Sequence, residues 1–291
     1  MDRGFSNPNQ LVAYLKMTVS VVIVTHNSEI FISKLLAAIE AQTLLPDLVV
    51  IVDSGSDSTD YLDRAHKSSL RCTVLLEPNV GFAAGCNLGW HLSNNYDFVL
   101  FLNPDAFLTE NFLEQAVEYM ETGSNQDVGM LTGTLLGYDV VANRPTGLVD
   151  STCVMHTWYG QSIDRDQRSP LSALTKYTQP NPVPAICGAA LFARQTTLKD
   201  IAEGDVLFDP SYFMYKEDID LSWRAARSEW TLIHHPGLTV YHCRGWKGRR
   251  ETSREMRLLS ARNDVKLFMK FRSPYLIYAL AKYGLVWAFN L

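Results

Sequence analysis

The first half of the chain alternates between two hydrophobic patterns. The runs TVSVVIVT (18–25), DLVVIVDS (47–54), CTVLLEP (72–78) and DFVLFLN (97–103) are continuously apolar and β-branched, without polar residues at every second position. Strands of this kind are buried on both faces, as parallel strands between helical layers are. Between the runs, residues 29–42, a stretch beginning near Ser58 and residues 82–93 have helical spacing. The pattern predicts an α/β fold, a doubly wound and mostly parallel sheet flanked by helices.

After residue 137 the pattern weakens. Residues 138–182 are polar, with prolines near the end, and predict a long segment of little regular structure, which is usually functional or mobile. PAICGAALFAR (184–194) is a strand signal. Beyond it the spacing predicts a helix over 217–227, strands near 231–242, and closing helices over about 251–272 and 275–289. There is no internal repeat.

Composition narrows the picture. With 291 residues, 47% of them hydrophobic, the chain can bury a substantial core. A net charge of -5 argues against a general nucleic-acid binder, whose footprint is basic. The cluster HCRGWKGRRETSREMR (242–257) runs the other way, and reads either as a solvated surface or as an attraction to phosphates or an anionic membrane. The five cysteines (Cys72, Cys86, Cys153, Cys187 and Cys243) form no C-x-x-C pair, which fits a reducing cytosol rather than a zinc ribbon or disulfide scaffold. Residues 1–16 hold no apolar run long enough for a signal peptide, and read as an extension preceding Met17. The aromatic tail YLIYALAKYGLVWAFNL (275–291) carries only Lys282 and falls short of the ~20 apolar residues of a spanning helix. It predicts an interfacial or packed helix.

Three predicted strands end in polar groups: VTHNS, VDSGSDST and LNPDA. All would lie at the carboxyl edge of one parallel sheet, where open α/β sheets place their ligands. In FLNPDAFL (101–108), Pro104 ends the ladder, and Asp105 marks either an ordinary turn or the edge of a site. No G-x-G-x-x-G follows the first strand and no P-loop occurs. In NVGFAAGCNLGW, Gly81, Gly85 and Gly89 share one helix face, suited to close packing or to a helix start that approaches phosphates. In MYKEDIDLSWR, Glu217, Asp218 and Asp220 open a helix, where acids complement its dipole. Asp218 and Asp220 differ by about 200° around the axis, so only one can face the crevice, and Glu217 is placed to cap or orient. His242 ends LTVYH and is either a satisfied structural residue or a ligand.

Taken in order, SVVIVTHN, VDSGSDST, NVGFAAGCNLG, LNPDA, CGAALFAR, MYKEDIDLSWR and YHCRG resemble the family 2 inverting glycosyltransferases of GT-A fold, and within them the rhamnosyltransferase-like branch. The resemblance runs from about Thr18 to Asn263. It implies a metal-dependent hexosyltransferase that moves a sugar, rhamnose being a candidate, from a dTDP- or UDP-linked donor. The acceptor would be a glycan or lipid-linked saccharide in cell-surface polysaccharide synthesis, with the enzyme in the cytoplasm at the inner face of the membrane. By the same resemblance Thr25 and Asn27 line the nucleotide pocket, Asp53 and Ser54 reach the base or ribose, and Gly81, Phe82 and Asn87 flank the nucleotide-sugar. Asn103 and Asp105 stand where the family has D-x-D, so Asp105 would hold Mg2+ or Mn2+ on the diphosphate, with His242 as a second ligand. Asp218 would be the general base.

The implied plan is an extension (1–16), a GT-A catalytic domain (17–243, with a nucleotide-sugar half to 137 and an acceptor half from 138) and a C-terminal helical region (244–291). Asn103 departs from the family pattern, leaving one carboxylate where D-x-D has two. Mg2+ typically binds through one or two carboxylates plus substrate phosphates. Two other readings stay open: a catalytically weak nucleotide-sugar-binding module, favoured by that departure, and a nucleotidyltransferase, which would want a basic, Gly-rich first loop that is absent.

Overall fold

In the computed structural model, which describes residues 17–244 and 252–289, the four apolar runs form β1 (Val19–Thr25), β2 (Leu48–Ser54), β3 (Cys72–Glu77) and β4 (Phe98–Leu102). The expected N-terminal extension and residues 245–251 of the basic cluster lie outside the described residues. The four strands pair in parallel in the order β3-β2-β1-β4. Every residue of β1, β2 and β4 is buried, which is why these runs show no alternation. Val19, Val21 and Ile23 pack under α1 (Glu29–Glu40) through Ile32, Leu35, Leu36 and Ile39. The helix expected near Ser58 shrinks to a tight turn over Asp60–Leu62 and α2 (Asp63–His66). On the opposite face, Val22 and Val24 meet α3 (Gly81–Leu92) through Ala83, Cys86 and Trp90.

The second half departs from a simple parallel sheet. After β4 come β5 (Ala106–Leu108), α4 (Phe112–Glu121), β6 (Val128–Asp139) and β7 (Arg144–Ser151). Then follow the small pair β8 (Val154–His156) and β9 (Ser162–Asp164), and β10 (Asn181–Pro182). Contrary to the sequence expectation, the segment 138–182 carries hairpins up to residue 164; beyond that, turns and a 3-10 segment (Leu171–Lys176) precede β10. Its strands were hidden because β7 buries only its last residues and pairs with β6 through register shifts, so no clean period survives. β11 (Ala190–Arg194) covers only the end of the expected 184–194 strand and lies antiparallel between β4 and β6. The chain continues through α5 (Gln195–Ile201), α6 (Glu217–Arg227) and the long β12 (Thr231–His242).

β12 pairs in parallel with β6, with a register shift between His234 and Thr239. Pro236 and Gly237 occupy that gap, where a proline removes no ladder bond. The last residues of β12 also pair antiparallel with β5, setting His242 opposite Ala106 and hence beside Asp105. The resulting ten-stranded sheet, β10-β12-β6-β11-β4-β1-β2-β3 with β5 on β12 and β7 on β6, is parallel in one half and mixed in the other. β6 runs through residues 137 and 138, joining the two segments that the sequence separates.

Two helices close the described chain. α7 (Arg254–Lys270) starts at Ser253, whose side chain accepts a bond from the Met256 N–H, a normal N-cap. α8 (Leu276–Phe289) packs back on it: Lys282 Nζ lies 2.5 Å from Asp264 Oδ2, and Arg254 Nη2 donates to the Trp287 carbonyl at 2.7 Å. Among the described residues, no helix is long and apolar enough to cross a membrane.

Candidate functional site

A cavity of about 360 Å³ opens at the carboxyl edge of the sheet, within the size range of small-molecule sites. The residues after β4 and the ends of β12 and β9 line one side, with Asn103, Asp105, His242, Arg244 and Asp164. The other side is the run from Met214 to Ile219 that leads into α6, with Gly188 between the two sides. Five residues expected at a site from sequence, Phe82, Asn103, Asp105, Asp218 and His242, thus share one cavity.

His242 is buried between two carboxylates. Its Nδ1 is 2.7 Å from Asp150 Oδ2, and its Nε2 is 3.3 Å from Asp105 Oδ1. Burial alone would push the imidazole down, but Asp105 and Asp150 outweigh it and raise the pKa to about 9. Burial pushes Asp105 up, yet the hydrogen bond and charge of His242 hold it below the usual carboxylate range. Asp105 retains some exposure toward the cavity, whereas Asp150 is fully buried and has Oδ1 without a hydrogen bond. A histidine ligand typically gives its second ring nitrogen to a carboxylate, as His242 does to Asp150. The donor set fits a divalent cation: Asp105 and the His242 Nε2 as ligands, and Asp150 behind them. Among the described residues no group of three or more His, Cys, Asp or Glu side chains could hold a metal alone, so substrate oxygens would complete such a shell.

Across the cavity, the helix geometry separates the three acids. Asp220 is fully buried and held by Arg224 Nε and Lys270 Nζ, each at 2.8 Å. Asp218 faces the cavity, with Oδ2 accepting from the Gly188 N–H at 2.9 Å and Oδ1 from the Ile219 N–H at 2.8 Å. Burial raises its pKa despite those donors and Lys216. Glu217, expected to cap or orient, is buried at the cavity with Oε2 unpartnered among the described residues, and its pKa is raised, by burial first and by the Asp218 charge second. Burial disfavours charge on both acids, so the pair holds a proton more readily than free carboxylates do. Of the two, Asp218 has both oxygens fixed by the backbone N–H groups of Gly188 and Ile219.

A profile described as "Glycosyl transferase family 2" matches residues 20–137. That segment, less than half of the chain, is similar to family 2 glycosyltransferases. Among solved structures, GalNAc-T7 crystallised with UDP, GalNAc and Mn2+ has a TM-score of 0.64 at 17% identity, covering 87% of this chain and 48% of that one. S. aureus TarS 1–349 in complex with UDP has a TM-score of 0.52 at 18% identity, covering 86% of this chain and 65% of that one. "Uncharacterized glycosyltransferase YwdF" of Bacillus subtilis (strain 168) is 29% identical over 106 residues, 36% of this chain and 39% of that protein. The chain thus spans less than half of GalNAc-T7 and of YwdF. Its fold, a parallel-rich sheet curled between helices, is GT-A.

Several residues expected at the nucleotide site lie outside this cavity lining and are hydrogen-bonded within the protein. Thr25, Asp53 and Ser54 sit at the ends of β1 and β2, outside the cavity lining. The Asp53 carboxylate accepts from Thr25 Oγ1 (3.1 Å), the Ser56 N–H and hydroxyl (2.9 and 2.6 Å) and Tyr61 Oη (2.7 Å). Burial raises its pKa, but these bonds prevail and lower it. Its role within the protein is to fix the 54–61 loop. Ser54 Oγ accepts from the Gly81 N–H at 3.0 Å, linking that loop to α3. Asn27, in a left-handed turn at φ 48°, pairs its amide with Asp57 and remains exposed beside the loop.

The glycine stripe is a packing device. A Cβ on Gly85 would meet Val24 at 2.8 Å, one on Gly89 would meet Val22 at 2.3 Å, and one on Gly81 would strike the Phe213 ring. Asn87 spends its whole amide on the backbone of residues 207 and 208, donating to Phe208 O and accepting from both N–H groups. It braces the approach to α6 and does not flank the cavity. Asp150, Asp164 and Arg244 were missed, since their signal is only tertiary: strands distant in sequence bring Asp164 and Arg244 to the cavity rim and Asp150 behind His242.

Proposed function

We propose that this chain transfers a sugar from a nucleoside-diphosphate donor, dTDP- or UDP-linked, to a hydroxyl of a glycan or lipid-linked saccharide, with inversion at the anomeric carbon. Rhamnose and cell-surface polysaccharide synthesis are the specific form of this reading. The observation that carries it is the cavity in which a carboxylate of raised pKa, Asp218, faces the Asp105–His242–Asp150 array. Two similar structures add support: GalNAc-T7 with UDP, GalNAc and Mn2+, and TarS in complex with UDP.

The chemistry needs one base. Asp218 accepts the acceptor's hydroxyl proton as that oxygen attacks the anomeric carbon, and the bond to the diphosphate oxygen breaks on the opposite face. The Gly188 and Ile219 N–H groups hold the carboxylate in one orientation for that transfer. Asp105 and His242 would hold Mg2+ or Mn2+, which when bound offsets the charge growing on the leaving diphosphate. Asp150 keeps the His242 ring turned so that Nε2 faces the cavity. Thermal-shift measurement with UDP and dTDP, with and without Mn2+, tests the nucleotide half of this reading. A ligand that binds only the native state at 100-fold over its Kd stabilises by about 2.7 kcal/mol. A cation-dependent rise in Tm with at least one of the two is expected, and no rise with either contradicts the reading.

A membrane-surface location is part of the same proposal. The solvent face of α8 presents Ile277, Leu280, Leu285, Trp287 and Phe289, while Lys282 turns inward to Asp264. Trp158 and Tyr159, from the β8–β9 turn, extend this apolar face through a Tyr159–Tyr278 ring contact at 5.3 Å. An apolar helix face in a chain whose sequence also carries a basic cluster (242–257) suits an anionic bilayer surface. Co-sedimentation with anionic liposomes at low salt should fall at least about 5-fold in the Leu280→Glu/Leu285→Glu variant, each CH₂ removed from lipid being worth ~0.8 kcal/mol. Equal sedimentation of variant and wild type would rule out this face.

A further inference from the structure

The turn that leads into α6 is held in a conformation its residues do not favour. Phe213, Tyr215 and Lys216 have φ of 64°, 71° and 76°, three left-handed non-glycine residues within four positions. Such backbone persists only where the surroundings over-determine it. The turn supplies Met214, Tyr215 and Lys216 to the cavity and runs directly into Glu217 and Asp218 of α6, so its shape sets where Asp218 points.

What holds it comes from the C-terminal helices. Asn263 on α7 is fully buried, and its Nδ2 lies 2.9, 2.8 and 3.0 Å from the carbonyl oxygens of Tyr212, Met214 and Tyr215. Three acceptors around one amide nitrogen also fix which way the amide faces, since a flip would set oxygen against oxygen. That orientation leaves Asn263 Oδ1 buried without a partner among the described residues, so the amide is committed to the turn at the expense of its other end. The next residue, Asp264, reaches Lys216 Nζ at 3.4 Å and is itself paired with Lys282 of α8. From the other side, the Ala83 N–H donates to the Phe213 carbonyl, and the Phe213 ring fills the space over Gly81. Asn263 does not line the cavity.

We propose that Asn263 is a positioning residue for Asp218: its amide clamps the left-handed 212–216 turn and so sets the base against the reacting hydroxyl. This rests on the transferase reading of the cavity. A misplacement near 1 Å can cost about 100-fold in rate, so loss of the clamp should show in turnover before it shows in nucleotide binding. Asn263→Asp keeps the shape and removes every donor to the three carbonyls. Phe268→Leu serves as the stability control, because Phe268 sits on the same helix and packs instead on Trp223 and Tyr275.

Two readouts are needed, both below the Tm of every variant. In hydrogen exchange, amides of residues 214–218 should exchange at least ~10-fold faster in Asn263→Asp than in Phe268→Leu, with α3 unchanged, given that a released turn opens locally. In nucleoside-diphosphate release from a nucleotide-sugar, kcat should fall by about 10- to 100-fold in Asn263→Asp only, with nucleoside-diphosphate Kd within about two-fold of wild type. Unchanged exchange overturns the clamp. Faster exchange with normal kcat overturns the positioning role. A wild type that binds no nucleotide and turns over no nucleotide-sugar refutes the transferase reading and with it the role for the base, while the exchange result still decides whether Asn263 holds the turn.

Discussion

Asp218→Asn binds nucleoside diphosphate as the wild type does and transfers sugar roughly 10²–10⁴-fold more slowly, the usual worth of a positioned general base. The substitution keeps the size of the side chain and one acceptor oxygen, so the bond from Gly188 or that from Ile219 can survive while the proton acceptor is lost. Asp220→Asn should behave in the opposite way. It uncouples Asp220 from Arg224 and Lys270 at a fully buried position, which costs about 3–5 kcal/mol of stability. Turnover per folded molecule stays close to wild type. The pH profile gives an independent check. Asp218 works only when deprotonated, and burial raises its pKa, so activity rises with pH along a limb displaced upward from that of an ordinary aspartate. Near-normal turnover in Asp218→Asn, or a larger loss per folded molecule in Asp220→Asn, would assign the role to another acid.

The second large effect is expected at Asp105. Calorimetry with UDP and Mn2+ should show affinity falling at least ~100-fold in Asp105→Ala, since even supporting residues around a metal are worth 10- to 100-fold. The same loss should follow from a chelator with the wild type. Asp150→Asn, one step removed, should lose less. It weakens the hold on His242 Nδ1 but leaves Asp105 and the imidazole in the cavity. A folded Asp105→Ala protein that binds UDP and Mn2+ as tightly as wild type would remove the metal assignment.

What could be read from sequence was what local chemistry determines. β1, β2 and β4 announce themselves because both faces are buried, and α6 starts at Glu217, the first of three acids. The separation of Asp218 from Asp220 followed from the helix period alone. Residues whose role depends on distant partners were misread or missed. Asp150 meets His242 across 92 positions, and nothing in GLVDS marks it as a histidine partner. β11 breaks the parallel order because it pairs antiparallel with both β4 and β6, a choice its own composition does not encode. The glycine stripe of α3 could be read as close packing or as ligand approach, and the resemblance put Gly81 and Asn87 beside the nucleotide-sugar; β1, Phe213 and the 207–208 backbone occupy those positions. Small residues and amides serve close packing and ligand approach equally well, so only the neighbours decide between them.

The most direct measurement follows the products of a nucleotide-sugar incubated with the protein and Mn2+, by phosphorus NMR, for wild type beside Asp218→Asn. Release of nucleoside diphosphate by the wild type, at least ~100-fold faster than by Asp218→Asn, is the predicted result. Nucleoside monophosphate with sugar 1-phosphate as products, or nucleoside diphosphate released equally fast by both proteins, would contradict the account.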